Sequence, residues 1–497
     1  MAVTPMDPFA ERVARAAHQR PIPHPNVAER SARGRDARAR TPRSALATWT
    51  TSPDRPDPIA LLTGQETSRV PELVPVRHAR MASSPFAFYR GSAIIMAADL
   101  GSMPRTGLEV QLCGDAHLAN FGLFAAPDRS LIFDVNDFDE THPGPFEWDV
   151  ARLATSFVLA ARGNSLSSAT GAEAARIAAA AYRTSMATFA TKRELDIWYD
   201  RIDVTSIQAR LPEYEKSARR SERRKVRRLQ TTLGKTIAAA QARDAWSAIA
   251  KITEVVDGRR QFRNEPPLLA RLDTDAEMRR VVNVLFHDYR STLQDDRRDL
   301  LKRYEVIDAG HKVVGVGSVG LLALVLLMRG RDDDDLMILQ VKQAQASVLE
   351  PYTRPSAFTK HGHRVVSGQR LMQAASDSFL GWIDGPNDHS FYVRQLRDMK
   401  WAPDPSKMRA AQLREYAAAC GHTLARAHAR SGDAVAIAAY LGTGERFDAS
   451  VQSFSVAYAD QVDLDYADFT HAIADGRLSA QEGGGTAAQR ASDPSVP

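Results

Sequence analysis

The 497-residue sequence predicts an α+β protein, with a mostly helical part first, a small antiparallel sheet later and further helices at the end. Three observations lead there. Apolar residues recur at three- and four-residue steps from Trp148 to Arg162, and again from Ser406 to Arg430, where Leu413, Tyr416, Cys420, Leu424 and His428 share one line. Three short apolar runs, Tyr304–Val314, Leu321–Met328 and Leu336–Lys342, are joined by a glycine-rich turn and a charged turn, the pattern of a strand meander. Between Leu112 and Asp149, polar and acidic residues crowd the ends of the strand-like runs Val110–Leu112 and Leu131–Phe133, where a rigid scaffold usually carries its chemistry.

Composition sets the frame. Hydrophobic residues at 44% and charged residues at 25% suit a globular protein with room for two or three domains. The net charge of +5 is compatible with an anionic ligand but does not require one. Cys113 and Cys420 provide neither a disulfide framework nor zinc spacing, so a reducing compartment is expected. The start of the chain lacks the apolar core of a secretion signal, and Leu321–Met328 is far too short to cross a bilayer. A cytoplasmic protein with no membrane partner is the expectation.

In chain order, residues up to about Thr50 are rich in Arg, Ala and Pro and are expected to be mobile, with a short helix at Pro8–Ala17. A buried helix is expected after Ser83-Ser84-Pro85. Arg77 and Arg80 ahead of it and Arg90 within it are placed either to meet phosphate or to pair with neighbouring carboxylates. Asp149 opens the helix after the central stretch and reads as its N-cap. An Ala-rich helix follows over Ala172–Ala190. Leu211–Leu229 is a basic helical stretch without interleaved aromatics, so a solvated face is preferred to a nucleic-acid surface. Helical patterns run on to Tyr304, broken at Asp257-Gly258 and Pro266-Pro267. Beyond the meander come a helix over His363–Ser378, a strand at Phe391–Leu396 and a last helix over Val451–Ile473; the tail from Ala480 is expected to be disordered.

The central stretch carries the clearest chemistry. Asp115, Asn120 and Asp137 supply a carboxylate base, an amide and a second carboxylate. Metal-assisted phosphoryl transfer asks for that set, the base orienting a hydroxyl while amide and carboxylate oxygens hold magnesium. The run Gly315-Val316-Gly317-Ser318-Val319-Gly320 admits two readings. A dinucleotide fold needs a helix after the glycines and an acidic residue about twenty positions on, near Asp332–Asp335. A kinase-like lobe needs a hairpin over the phosphates and a lysine on the next strand. Lys342, among Ile338, Leu339, Gln340 and Val341, favours the second, with Glu350 as a candidate partner.

These residues resemble a known superfamily. CGDAHLANFG followed by FDVNDFDE is similar to the HGDxHxxN and IDxxD motifs of aminoglycoside-phosphotransferase-like kinases, and GVGSVG with LQVKQA resembles their nucleotide lobe. The order is inverted, and YAAACGHTLARAHAR resembles the helix that normally precedes the catalytic loop, so the resemblance implies a circularly permuted, two-lobed protein-kinase-like fold. From residue 30 to 470 the chain also resembles a bacterial family known as domain of unknown function 2252, through SPFAFYRG, NDFDETHPGPFEWDVARLA, QRLMQAASD and FYVRQLRDMK. The implied organisation is an arm at 1–55, a helical catalytic lobe at 56–300, a β-rich nucleotide lobe at 301–400, completing helices at 401–478 and a tail at 479–497. The kinase resemblance implies ATP and Mg2+ as cofactors, Asp115 as base, Asn120 and Asp137 as metal ligands and Asp139 beside a second ion. It implies that Gly315, Gly317, Ser318 and Gly320 drape the phosphates and that Lys342 pairs with them. Two departures stand out: Cys113 replaces the usual histidine, and Asp134, Asp137, Asp139 and Glu140 exceed the carboxylates required. His117 reads as a loop brace.

The expected function is therefore an ATP- and magnesium-dependent phosphotransferase acting on a hydroxyl acceptor. The alternatives are AMP transfer from the same site, a nucleotide-binding pseudokinase, a dinucleotide-binding oxidoreductase, and metal-dependent hydrolysis by Asp115, His117, Asp137 and Asp139.

Overall fold

The computed structural model describes residues 24–481 apart from 218–219, 243–244, 267–268, 273–275, 313–318 and 397–398. The helix expected at Pro8–Ala17 and the tail beyond residue 481 lie outside them. The strands in chain order are β1 Glu109–Leu112, β2 Phe121–Ala125, β3 Leu131–Val135, β4 His142–Pro145, β5 Ile202–Asp203, β6 Thr253–Val256, β7 Arg259–Phe262, β8 Leu269–Arg271, β9 Glu305–Lys312, β10 Ala323–Arg329, β11 Leu336–Ala344, β12 Gly381–Asp384 and β13 Ser390–Gln395. Six of them form one antiparallel sheet in the order β12-β13-β11-β10-β9-β8.

That sheet is covered on both faces. Val325 and Leu327 of β10 pack with Ile249, Phe262 and Ile338, while Leu326 and Met328 pack opposite with Leu339, Val341 and Phe391. Two buried faces make β10 read as an unbroken apolar run rather than an alternating one. Helix His361–Met372 joins β11 to β12 in sequence and packs on β12 and β13.

The larger core is helical. Phe146–Gly163, Ser168–Phe189, Ala410–Ala429 and Arg446–Ala474 share it, so helices from before and after the sheet are packed together. Close approach depends on small residues: a Cβ on Gly421 would lie 2.2 Å from the Ala178 carbonyl oxygen. Among the described residues no helix is long and apolar enough to cross a membrane.

Several expectations are corrected. From Asn26 onward the supposed mobile arm is folded: Val27–Arg40 carries a capping box of Asn26 and Glu29 and packs on helix Ala434–Leu441. Its contact face is Gly34 and Ala37, so it lacks the large apolar stripe that would have announced it. Farther on, Arg55 meets Asp99 at 2.8 Å and Asp465 at 2.6 Å, clasping this segment to the last long helix. The break at Asp257-Gly258 is a hairpin turn between β6 and β7, with φ of 50° and 73° at its two residues. β8 extends the large sheet, which therefore begins before residue 301. The basic helical stretch falls on two helices, Val204–Ser217 and Arg220–Gln241.

Candidate functional site

The site begins with a hairpin. β2 and β3 pair so that Phe121 faces Val135, and the ladder continues through the Asn136 N–H, which donates to the Asn120 carbonyl at 2.8 Å. That register sets Asn120 beside the residue preceding Asp137. The Asn120 amide nitrogen donates to the Asp115 carbonyl at 2.7 Å, leaving its Oδ1 as the atom suited to a cation.

Asp115 sits on a loop held from outside the hairpin. Gly114 has φ +83°, and a Cβ there would lie 2.2 Å from the Glu140 carbonyl oxygen, so this turn requires glycine. Asp149 accepts the Cys113 and Gly114 N–H groups at 2.8 and 3.0 Å and lies 3.2 Å from His428 Nε2. It is therefore the buried anchor of the Asp115 loop and not the N-cap expected from its place at a helix start. Three residues on, Arg152 donates through Nε to Asp115 Oδ1 at 2.6 Å and through a second nitrogen to the Tyr89 carbonyl at 2.8 Å. His117 Nε2 stands 3.6 Å from the other Asp115 oxygen, too far for a hydrogen bond. Burial pushes the His117 imidazole down to about 3, so it is neutral. Burial and then Asp149 push the Cys113 thiol well above its usual range, which makes it a poor nucleophile.

The four surplus carboxylates are sorted by their partners. Asp134 is buried against Arg426 at 2.5 Å and accepts the Ala374 N–H, a structural role. Glu140 accepts the Val348 N–H at 2.8 Å. Asp139 receives the Lys342 ammonium on Oδ2 and the Tyr392 hydroxyl on Oδ1 at 2.7 Å. Asp137 accepts a long 3.3 Å contact from the Asp139 N–H. Burial alone would raise the Asp137 carboxyl; Lys342, Arg394 and Lys400 outweigh it and keep the carboxyl below its ordinary value. Asp137 thus keeps its negative charge, and Asp139 is the lysine's partner, with Tyr392 on its other oxygen.

Lys342 is 3% exposed in the middle of the sheet, opposite Tyr392 of β13 and Ala323 of β10. Its positive charge is retained despite burial because Asp137 and Asp139 raise its pKa. Glu350, the partner suggested by sequence, instead accepts the Ser356 N–H at 2.9 Å. Buried Arg364 of helix His361–Met372 ties the junction, donating to the carbonyls of Thr141, of Asp139 at 2.8 Å and of Gln345 at 2.7 Å. Arg77 neither pairs with the motif carboxylates nor lies open to a ligand; it is buried on Glu66 at 2.5 Å.

Gly315, Gly317 and Ser318 lie outside the described residues, while Gly320 has φ +89°. Strand β10 follows that loop, where the dinucleotide reading needs a helix, and its sheet neighbours are antiparallel. Among the described residues no three His, Cys, Asp or Glu side chains gather as a metal site. Asn120 Oδ1 with an ionised Asp137 is nevertheless a donor set that fits magnesium, which takes few protein ligands and fills its octahedron with water and phosphate oxygens.

Asp149, Arg152, Arg364 and Tyr392 were missed as site residues, although Asp149 and Arg152 stand in FEWDVARLA and Tyr392 in FYVRQLRDMK, two segments already singled out. A sequence profile described as an uncharacterized protein conserved in bacteria (DUF2252) matches residues 69–472. No curated protein and no solved structure matches the chain.

Proposed function

The chain belongs to the bacterial family DUF2252, and from that premise we propose an ATP- and magnesium-dependent phosphotransferase acting on a hydroxyl of a small molecule or protein. The observation that carries this reading is the junction of Lys342 with the Asp137–Asp139 loop. A buried lysine on the third strand of a glycine-loop meander meets a carboxylate loop that the Asn136–Asn120 backbone bond sets beside the loop bearing the amide and the candidate base.

Each role follows from the contacts. Asp115, held by Arg152, orients the acceptor hydroxyl and takes its proton as the new O–P bond forms, the bond from the γ-phosphorus to the β–γ bridging oxygen breaks and ADP leaves. Asn120 Oδ1 and Asp137 would hold magnesium, which when bound neutralises phosphate charge. Lys342 meets the phosphates, and Asp139 with Tyr392 keeps its ammonium oriented. Transfer through a loose transition state needs positioning and charge more than covalent help, and fixed groups supply both.

Calorimetric titration of ATP with and without magnesium, with NAD as control, tests the reading. Magnesium-dependent ATP binding, abolished in Asp137→Ala and weakened in Lys342→Ala, is expected. Metal-independent NAD binding, or equal nucleotide turnover in both variants and wild type, would sink it. Labelled ATP then separates the transfers: label in the acceptor from the γ position means phosphoryl transfer, and from the α position AMP transfer.

A further inference from the structure

Three arginines outside every motif gather at the loop that leads into the last long helix, Arg446–Ala474. Helix Ala434–Leu441 ends on Gly442, whose φ of +68° glycine adopts without strain, and Gly442-Thr443-Gly444-Glu445 then runs into Arg446. A Cβ on Gly442 would lie 2.9 Å from Arg43 Nη1 and 3.1 Å from Arg38 Nη1, so two guanidinium groups converge on one backbone position. Arg43 also donates to the Leu441 carbonyl. Burial, then Arg38 and Arg446, pull the Arg43 guanidinium below its ordinary value, so Arg446 shares the neighbourhood.

Like charges repel, and the arrangement therefore gains from an acidic partner or a bound anion. The carboxylates that flank the loop are engaged elsewhere: Glu445 with Arg176, and Asp448 with Arg183 at 2.8 Å. Among the described residues Arg38, Arg43 and Arg446 make no ion pair. The loop itself is fixed, because Arg183 Nη1 donates to the Thr443 carbonyl at 3.2 Å. No side chain caps the first turn of the 29-residue helix, so its open N–H groups present the positive end of the helix dipole. A further donor stands nearby. Tyr440 is 0% exposed, and its buried hydroxyl has no hydrogen-bond partner among the described residues. Burial and then Glu147 push that hydroxyl up, while Arg43 and Arg38 draw it down, which puts it within reach of the same two charges.

We propose that Arg38, Arg43 and Arg446, at the N-terminus of the last long helix, form a binding site for a phosphate group. Guanidinium forks match phosphate oxygens in pairs, and a helix N-terminus favours an anion. Three cations suit a phosphate dianion better than a single carboxylate. Bound there, the phosphate ties the segment bearing Arg38 and Arg43 to the start of the last helix. The site shares no residue with the candidate phosphotransferase centre and does not depend on that reading.

The test is calorimetry and thermal unfolding of the full chain in sodium phosphate, with sodium chloride and sodium acetate at equal ionic strength as controls. Phosphate is expected to bind saturably and raise the Tm beyond both controls. The double variant Arg38→Gln/Arg446→Gln should weaken it about tenfold or more. Should that variant fail to fold, Arg43→Lys decides: it keeps the charge, loses the fork and should weaken phosphate severalfold. Lys342→Ala controls for phosphate lodging at the other centre, and affinity kept there but lost in the arginine variants supports the site. Loss in Lys342→Ala with wild-type affinity in the arginine variants overturns it. So do equal effects of phosphate, acetate and chloride, or phosphate affinity unchanged in both arginine variants. Glycerol 3-phosphate separates the sources: tighter binding than inorganic phosphate supports the site with a phosphomonoester as its ligand, and weaker binding supports it with the free ion.

Discussion

Asp149→Ala is expected to loosen the loop that carries Asp115. The Asp149 side chain is 2% exposed and accepts the Cys113 and Gly114 N–H groups at 2.8 and 3.0 Å. Alanine leaves both donors buried without an acceptor, each costing about 1–3 kcal/mol. The desolvation of the carboxylate is recovered in part, so a net loss of about 2–5 kcal/mol is expected. Asp149→Asn keeps the shape and one acceptor oxygen, so its cost should be about half that of alanine. Urea unfolding followed by far-ultraviolet circular dichroism gives the two losses. Hydrogen exchange of the peptide spanning residues 113–120 locates them, with faster exchange at Cys113 and Gly114. An alanine variant within about 1 kcal/mol of wild type, or exchange unchanged in that peptide, would refute the anchoring role.

Two further outcomes follow from buried charge. Arg55→Ala strips the shared cation from Asp99 and Asp465, whose side chains are 2% and 3% exposed, and should cost about 3–5 kcal/mol; a urea midpoint equal to wild type would mean the segment before residue 58 does not clasp the last helix. Glu147, hydrogen-bonded to the N–H and hydroxyl of Thr106 at 2.8 Å, is pushed up to about 7 by burial. Between its ordinary value and about 7 the folded chain holds a proton that the unfolded chain has lost, so this contribution is present at low pH and disappears as pH rises through about 7. Glu147→Gln removes that titration and should gain about 3 kcal/mol on wild type between pH 4.5 and pH 8. A variant-to-wild-type difference that does not change with pH would refute the assignment.

The elements visible in the sequence were those whose signal is local. Helices Phe146–Gly163 and Ala410–Ala429 show themselves by spacing, and β10 and β11 by apolar runs between turns. Helix Val27–Arg40 was invisible because its packing face is Gly34 and Ala37, which carry no apolar signal, and the β6–β7 hairpin because its strands are mostly exposed and polar. In the site, residue types at loop ends pointed to Asp115, Asn120 and Asp137. They did not reveal which carboxylate would be consumed by a structural partner, because those partners come from far along the chain: Arg426 for Asp134, and Lys342 with Tyr392 for Asp139.

That sorting bears on how Lys342 would meet the anion of the proposed function. A lone lysine in a sheet core would lose its proton or its order, since burial penalises the ammonium. Asp139 holds the charge, and Tyr392 fixes Asp139 from its other oxygen, so the ammonium is oriented before any anion arrives. An anion at Lys342 therefore pays little to order it, but must share it with Asp139. Arg364 keeps that balance by gripping the carbonyls of Asp139 and Gln345, the first on the carboxylate loop and the second just past the lysine's strand, so the two halves of the pair move together. The geometry at the junction is thus a property of the carboxylate loop and the large sheet at once, and no single motif carries it.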